Sequence, residues 1–416
     1  MKKAISVFLV IAVIISAFSF SVSAEEEKTA ENQYPVVFVH GMFGWGANEG
    51  INSFVPYWGA TTGNMIDYLR EEGYDCYSAS VGPLSSVWDQ ACELYAQLTG
   101  SRVDYGALHS GEFGHKRFGR NYDKPLFEGW GENGKKIHLV GHSFGGNAVR
   151  LLTCLLTYGC EEEMAACDDP SPLFEGGHEE LIATCTAICT PINGTTAYNV
   201  ASHRRLTRLM KIVATLWAAT FGRSVANGTV VDFHLEQFGL CNIPGDPDGK
   251  ADPFFEAVPR FLNTTDSVDH GLSIKDCKAL NDMIETSENV YYFSVAYDCT
   301  EKNSRGKYVP KNLDFILLGV FSRWIIDLGS FTDEESGTPV DESWMPNDGL
   351  VNVKSALYPF DEAHKDYDAN NVEKGMWNVL SVRTGDHGTP IGLFADKDET
   401  RDFMTELLDV IVATEG

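Results

Sequence analysis

The residues Gly141-His142-Ser143-Phe144-Gly145, with Gly146 beside them, form a G-x-S-x-G pattern. An apolar run, Lys136-Ile137-His138-Leu139-Val140, leads straight into it, and a helical pattern starts straight after it. A serine in that setting sits at a sharp strand-to-helix turn, where neighbours two residues away must lack bulk and where Oγ emerges beside backbone N–H donors. The chemistry this permits is nucleophilic attack on an ester carbonyl. The plain alternative is an ordinary turn whose serine caps the helix.

Acyl transfer needs two donors aimed at the developing oxyanion. One is expected from the N–H of Phe144. The other is expected from the loop after the first core strand, His40-Gly41-Met42-Phe43-Gly44-Trp45-Gly46, with Met42 N–H as the candidate. The acid and base should follow the serine in chain order, acid first. After Ser143 come His178, His203, His234, His270, His364 and His387. Of these, His387 follows a late apolar strand (377–382) and precedes the last helical pattern, in a Gly385-Asp386-His387-Gly388 loop. Asp348, in Asn347-Asp348-Gly349, is the acid candidate. The Asp-Gly pair is also a plain turn signal, and Asp341, Glu342 and Asp386 are rivals that spacing does not separate.

The elements that must position these residues alternate along the chain. Residues 36–39, 76–80, 137–140, 182–188, 290–295 and 379–382 read as strands. Residues 65–72, 87–98, 147–156 and 403–412 read as helices. This alternation implies a mostly parallel central sheet with helices on both faces, and function at the carboxyl ends of its strands.

Composition narrows the class. The net charge is −27, and such an acidic surface argues against nucleic acid and anionic membranes as partners. Lys2 and Lys3, the apolar run 7–15 and the small residues Val22-Ser23-Ala24 read as a signal peptide cut near Ala24. The reading is therefore a secreted protein without a stable membrane anchor, in which 25–416 is a single α/β domain. Ten cysteines are present. No paired CxxC suggests a thiolate metal site; Cys154 and Cys185 read as buried thiols, and Cys160 with Cys167 as the local candidate for a bridge.

Longer segments carry a resemblance. Residues 40–46, Val81–Ser86, Val103–Gly106, Arg117–Arg120, Ser171–His178 and Asn347–Asn352 are similar to segments of the secreted true lipases of thermophilic bacilli and staphylococci, from about Pro35 to the end. The resemblance implies an α/β-hydrolase fold, triacylglycerol hydrolysis at an oil–water interface, and a triad of Ser143, Asp348 and His387. It keeps the second oxyanion donor at Met42, where the family usually carries Phe; only the backbone N–H is needed. It also implies a structural Zn²⁺ on Asp89, His109, His115 and Asp266, with a zinc-region insertion at about 83–125 that carries the first three. Two imidazoles and two carboxylates make a closed tetrahedral set. The family's Ca²⁺ carboxylates align near Thr389 and Phe394, neither of which can supply one, so that calcium site is expected to be lost.

Between His203 and Phe221, Leu206, Leu209, Met210, Val213, Leu216, Trp217 and Phe221 recur at helical spacing, with Arg204, Arg205, Arg208 and Lys211 making the first half basic. By itself this reads as a core helix with one solvated end. It matches the position of the lid helix in the resembled lipases, within a lid region of about 197–245, and so implies a lid that meets lipid when open. A carboxylesterase or phospholipase would keep the triad and change pocket and lid. A non-catalytic lipid-binding protein would keep only the fold.

Overall fold

A computed structural model describes residues 32–221, 231–243, 249–311 and 316–415, the side chains of Phe221 and Ile316 excepted. The proposed signal segment lies outside the described residues. Seven strands form the central sheet: β1 (Val36–Val39), β2 (Cys76–Ala79), β3 (Ile137–His142), β4 (Ile182–Ile188), β5 (Tyr291–Val295), β6 (His364–Asp366) and β7 (Trp377–Val379). Their order is β6-β7-β5-β4-β3-β1-β2, and every pairing is parallel. β4 has the bounds read from sequence. β7 starts where the apolar run 377–382 starts and ends earlier, at Val379, and the short edge strand β6 gave no signal because its residues, His364-Lys365-Asp366, are polar.

Strand alternation decides which residues face which layer. In β1, Val37 and Val39 enter one core with Leu139, Ile182 and Cys185. Helices α2 (Val87–Thr99) and α4 (Phe144–Tyr158) cover that face. Val36 and Phe38 enter the other core with Val140, Phe293 and Val295, under α1 (Met65–Glu71) and α8 (Lys397–Val412). Four further helices matter for the site: α3 (Ala107–Phe113), α5 (Ala201–Phe221), α6 (Phe254–Asn263) and α7 (Ile316–Asp327). Among the described residues no helix is long and apolar enough to cross a membrane.

Two cysteine expectations meet different outcomes. Cys154 and Cys185 are buried free thiols, as read. Cys160 and Cys167 are not bridged. They flank a helix, Glu161–Ala166, and seven helical steps separate their Cα atoms by about 10 Å, beyond disulfide reach.

Candidate active site

The serine is held by backbone geometry. β3 ends at His142, α4 begins at Phe144, and Ser143 between them has φ 54° and ψ −126°, a conformation that L-residues rarely adopt. The turn closes because its flanks are glycine. A Cβ at Gly141 would lie 2.4 Å from the Gly145 carbonyl oxygen, and one at Gly145 would lie 2.3 Å from that of His40. The Ser143 N–H donates to the Ile188 carbonyl at 2.8 Å, anchoring the turn to β4.

The loop after β1 lies against this turn, since a Cβ at Gly41 would sit 2.7 Å from Ser143 Cβ. Phe43 N–H donates to the Pro83 carbonyl and Gly44 N–H to that of Gly41. Among the described residues neither Met42 N–H nor Phe144 N–H donates to a backbone carbonyl outside α4. Phe144 is the first residue of its helix, so its N–H has no partner within the helix either.

Of the histidines after Ser143, His387 is the one bonded to Asp348. Its Nδ1 lies 2.7 Å from Asp348 Oδ2, and its backbone N–H donates to the Asp348 carbonyl at 2.8 Å. Asp348 is buried, and its Oδ1 accepts from Leu350 N–H at 2.9 Å and Val351 N–H at 2.7 Å. The Asp-Gly turn therefore exists and also aims the carboxylate. The rivals are occupied elsewhere. Asp386 Oδ1 accepts from Gly388 and Thr389, Asp341 accepts from Ser343, and Glu342 pairs with Lys302. His387 reaches the serine turn through His142, whose Nε2 lies 3.0 Å from the His387 carbonyl oxygen and whose ring centroid is 4.8 Å from that of His387. A strained, glycine-flanked serine, a carboxylate-oriented imidazole and two spare N–H groups are the parts acyl transfer needs.

Sequence reasoning missed three residues here. His142 stood inside the motif but carried no separate signal. Tyr57, in a loop far from the motif, donates to or accepts from His142 Nδ1 at 2.7 Å. Cys189, at φ 49°, places its sulfur within 4.8 Å of donor atoms of both Asp348 and His387. Burial and the neighbouring Asp348 carboxylate hold its pKa well above the ordinary thiol value, so it stays protonated and is no rival nucleophile.

A second cluster assembles Asp89 from α2, His109 from α3, His115 just after α3, and Asp266 after α6. His109 Nε2 lies 3.3 Å from Asp89 Oδ1 and 3.4 Å from Asp266 Oδ1, and His115 Nε2 lies 3.2 Å from Asp266 Oδ2. Yet Asp89 Oδ1, His109 Nε2, His115 Nε2 and Asp266 Oδ2 are buried without a hydrogen bond. Donor atoms about 2.0–2.1 Å from a tetrahedral ion are spaced roughly 3.3–3.4 Å apart, so this set fits a small metal ion. The outer contacts agree: His115 Nδ1 meets the Lys116 carbonyl at 3.0 Å, and Gln237 donates to Asp89 Oδ2 at 2.9 Å. At the aligned calcium positions, Thr389 Oγ1 bonds Asp386 and Phe394 is exposed.

Comparison with known proteins fits this geometry. A family model described as "Lipase-like, C-terminal domain" matches residues 32–416. This chain belongs to that lipase-like family. Lipase-like relatives include the lipase of Staphylococcus epidermidis and lipase 1 of Staphylococcus aureus, each 32% identical, over 94% and 92% of this chain. The chain spans 55% of the length of each. Among solved structures, Staphylococcus hyicus lipase aligns with a TM-score of 0.76 at 28% identity, covering 95% of this chain and 99% of that one. EstA from Clostridium botulinum gives 0.74 at 29% identity (96% and 92%), and lipase 1 from Pelosinus fermentans 0.71 at 34% (91% and 98%). With its seven-stranded parallel sheet, this lipase-like chain has an α/β-hydrolase-like fold.

Helix α5 is inverted relative to a core helix. Ala214, Ala218 and Ala219 face inward, while Leu206, Leu209, Val213, Leu216 and Trp217 face solvent, Leu209 at 51% exposure. Lys211 is the inward cation, bonded to Ser267 at 2.7 Å and to Asp269 at 2.9 Å. At the start of α5, His203 packs on Phe321 and Trp324 of α7, and Leu318 of α7 lies over Gly349, next to Asp348.

Proposed function

We propose that this chain is a secreted serine ester hydrolase that cleaves triacylglycerols at an oil–water interface. The observation that carries the reading is the buried Asp348–His387 hydrogen bond beside a strained serine elbow. Ser143 Oγ attacks the ester carbonyl as His387 Nε2 takes its proton. Asp348 holds Nδ1–H and stabilises the imidazolium, and the N–H groups of Met42 and Phe144 hold the oxyanion. The imidazolium returns its proton to the leaving alcohol. A water activated by the same imidazole then releases the fatty acid. Residues 25–416, after a signal segment ending near Ala24, form one domain in this reading.

Asp89, His109 and His115, on the insertion at about 83–125, together with Asp266 from the segment after α6, would hold Zn²⁺. With four protein donors available, such an ion would pin α2, α3 and the segment after α6 together and would not activate water.

The lid region, about 197–245, contains α5. An exposed row of large apolar side chains on a helix seated by small ones supports a surface made for lipid. Leu209→Ser and Leu216→Ser should leave stability within ~0.5 kcal/mol and selectively lower turnover of emulsified substrate. A carboxylesterase would show no such selective loss. The deciding assay compares emulsified long-chain triacylglycerol with a soluble short-chain ester, for the native chain and Ser143→Ala. Strong emulsion turnover that falls on the order of 10⁶-fold in the variant supports the reading; native-like rates in Ser143→Ala would sink it.

A further inference from the structure

Hydrogen bonds continue past the residues that carry the proposed reaction. Gly41 N–H donates to Tyr57 Oη at 2.9 Å, Tyr57 Oη lies 2.7 Å from His142 Nδ1, and His142 Nε2 lies 3.0 Å from the His387 carbonyl oxygen. The row therefore runs from the loop bearing Met42 to the backbone of the residue whose ring is the general base.

Its proton positions follow from its ends. A carbonyl oxygen only accepts, so His142 Nε2 carries hydrogen. A neutral imidazole then accepts at Nδ1, so Tyr57 O–H donates there and its oxygen accepts from Gly41. His142 and Tyr57 are both buried. Burial, reinforced by neighbouring His387 and His40, holds the His142 pKa well below the ordinary imidazole value and keeps that ring neutral. Neutrality matters, because His387 becomes a cation during turnover and a charged ring 4.8 Å away would oppose it.

We propose that Tyr57 and His142 are positioning residues that tie the oxyanion loop to the His387 backbone, so that the Met42 N–H and the general base keep one fixed separation through the reaction. This rests on the triad reading above. Every member of the row is used once and aimed one way, whereas apolar packing would fill the same space without the cost of burying two polar side chains. The two ends it joins are far apart in sequence, and β1 alone does not fix their separation.

Tyr57→Phe removes one oxygen and keeps the ring packed on Trp45 and Trp58. On a soluble short-chain p-nitrophenyl ester its kcat should fall ~10- to 100-fold with little change in KM, the signature of a misplaced reacting group. His142→Gln keeps a donor for the His387 carbonyl and should retain most of the activity that His142→Leu loses. The Tyr57→Phe/His142→Leu double variant should be no slower than His142→Leu alone, since one row is broken once. A native kcat in Tyr57→Phe, losses that multiply in the double variant, or equal activity for Gln and Leu at position 142 would overturn the proposal. If Tyr57→Phe fails to fold, the Gln–Leu pair still decides. Ser143→Ala separates the two levels: native activity there defeats the triad itself, whereas an inactive Ser143→Ala beside an unaffected Tyr57→Phe defeats only the positioning row.

Discussion

The Asp348–His387 pair and the Asp89–His109–His115–Asp266 group are both buried sets of imidazoles and carboxylates, and they differ in what their inward atoms touch. Around Asp348 the carboxylate oxygens are taken up by N–H groups of His387, Leu350 and Val351. In the four-residue group, one inward atom of each residue is left without a hydrogen bond. Unpaired buried polar atoms are costly, and four that converge within 4.8 Å describe the space of a cation. Hydrogen-bond satisfaction, more than residue type, is what distinguishes the pair proposed to move protons from the group proposed to hold a metal.

The largest test of that contrast falls on the satisfied cluster. Asp348→Asn keeps the shape but favours the wrong imidazole tautomer, and it should lower kcat by about 10⁴-fold with the melting temperature little changed. A loss tenfold or smaller would mean that the carboxylate is structural. Next in size, chelation of the metal or Asp266→Asn should do the reverse. The melting temperature should fall by several degrees, at roughly 2–4 °C per kcal/mol or less for a chain this long. Fluorophosphonate labelling of Ser143 should persist below the new transition. Metal analysis should return one zinc per native chain, and a chain that binds none would break the comparison. An intermediate effect is expected for Cys189→Asp, which sets a second carboxylate beside Asp348. Repulsion should favour protonation of one of them and weaken the hold on His387 Nδ1, lowering kcat at neutral pH, and raising the pH should partly restore it. A pH-independent loss would point to packing alone.

The smallest effect concerns a third kind of histidine. His203 Nε2 is buried and unpaired, yet its ring neighbours are Phe321 and Trp324, not carboxylates. Burial lowers its pKa to about 4. The unfolded chain binds a proton near 6.5, the folded chain only near 4, so unfolding takes up protons in between. This contribution is complete above pH 6.5 and is lost as pH falls towards 4, loosening the start of α5. His203→Phe should flatten that part of the melting-temperature profile. An unchanged slope would show that other groups set it.

Much of the fold was legible in sequence because a buried parallel strand must be apolar. Residues 36–39 and 182–188 could be read without their neighbours. The elbow was legible because only glycine fits the close approaches around Ser143. Polar β6 was not, since an edge strand escapes full burial, and neither was the early end of β7, because apolar Leu380 and Val382 continue the pattern past its last paired residue. The choice of Asp348 over Asp341, Glu342 and Asp386 was open, because spacing carries no direction; the structure brings Asp348 alone to His387. The four-residue group could not have been assembled from spacing, its members arriving from α2, α3 and the segment after α6.

What the sequence alone determined, then, is what local sterics and burial dictate: the strand–helix alternation, the glycine-flanked serine, and the apolar repeat along α5. Tertiary structure decided the rest. It turned Leu206, Leu209, Val213, Leu216 and Trp217 outward, seated α5 on alanines and Lys211, held Cys160 and Cys167 apart across a helix, and joined Gly41, Tyr57, His142 and His387 in one row. The reason is physical. Periodicity states that a face is apolar without stating what lies opposite it, and a hydrogen bond between residues scores apart in the chain exists only once the sheet has set both its ends.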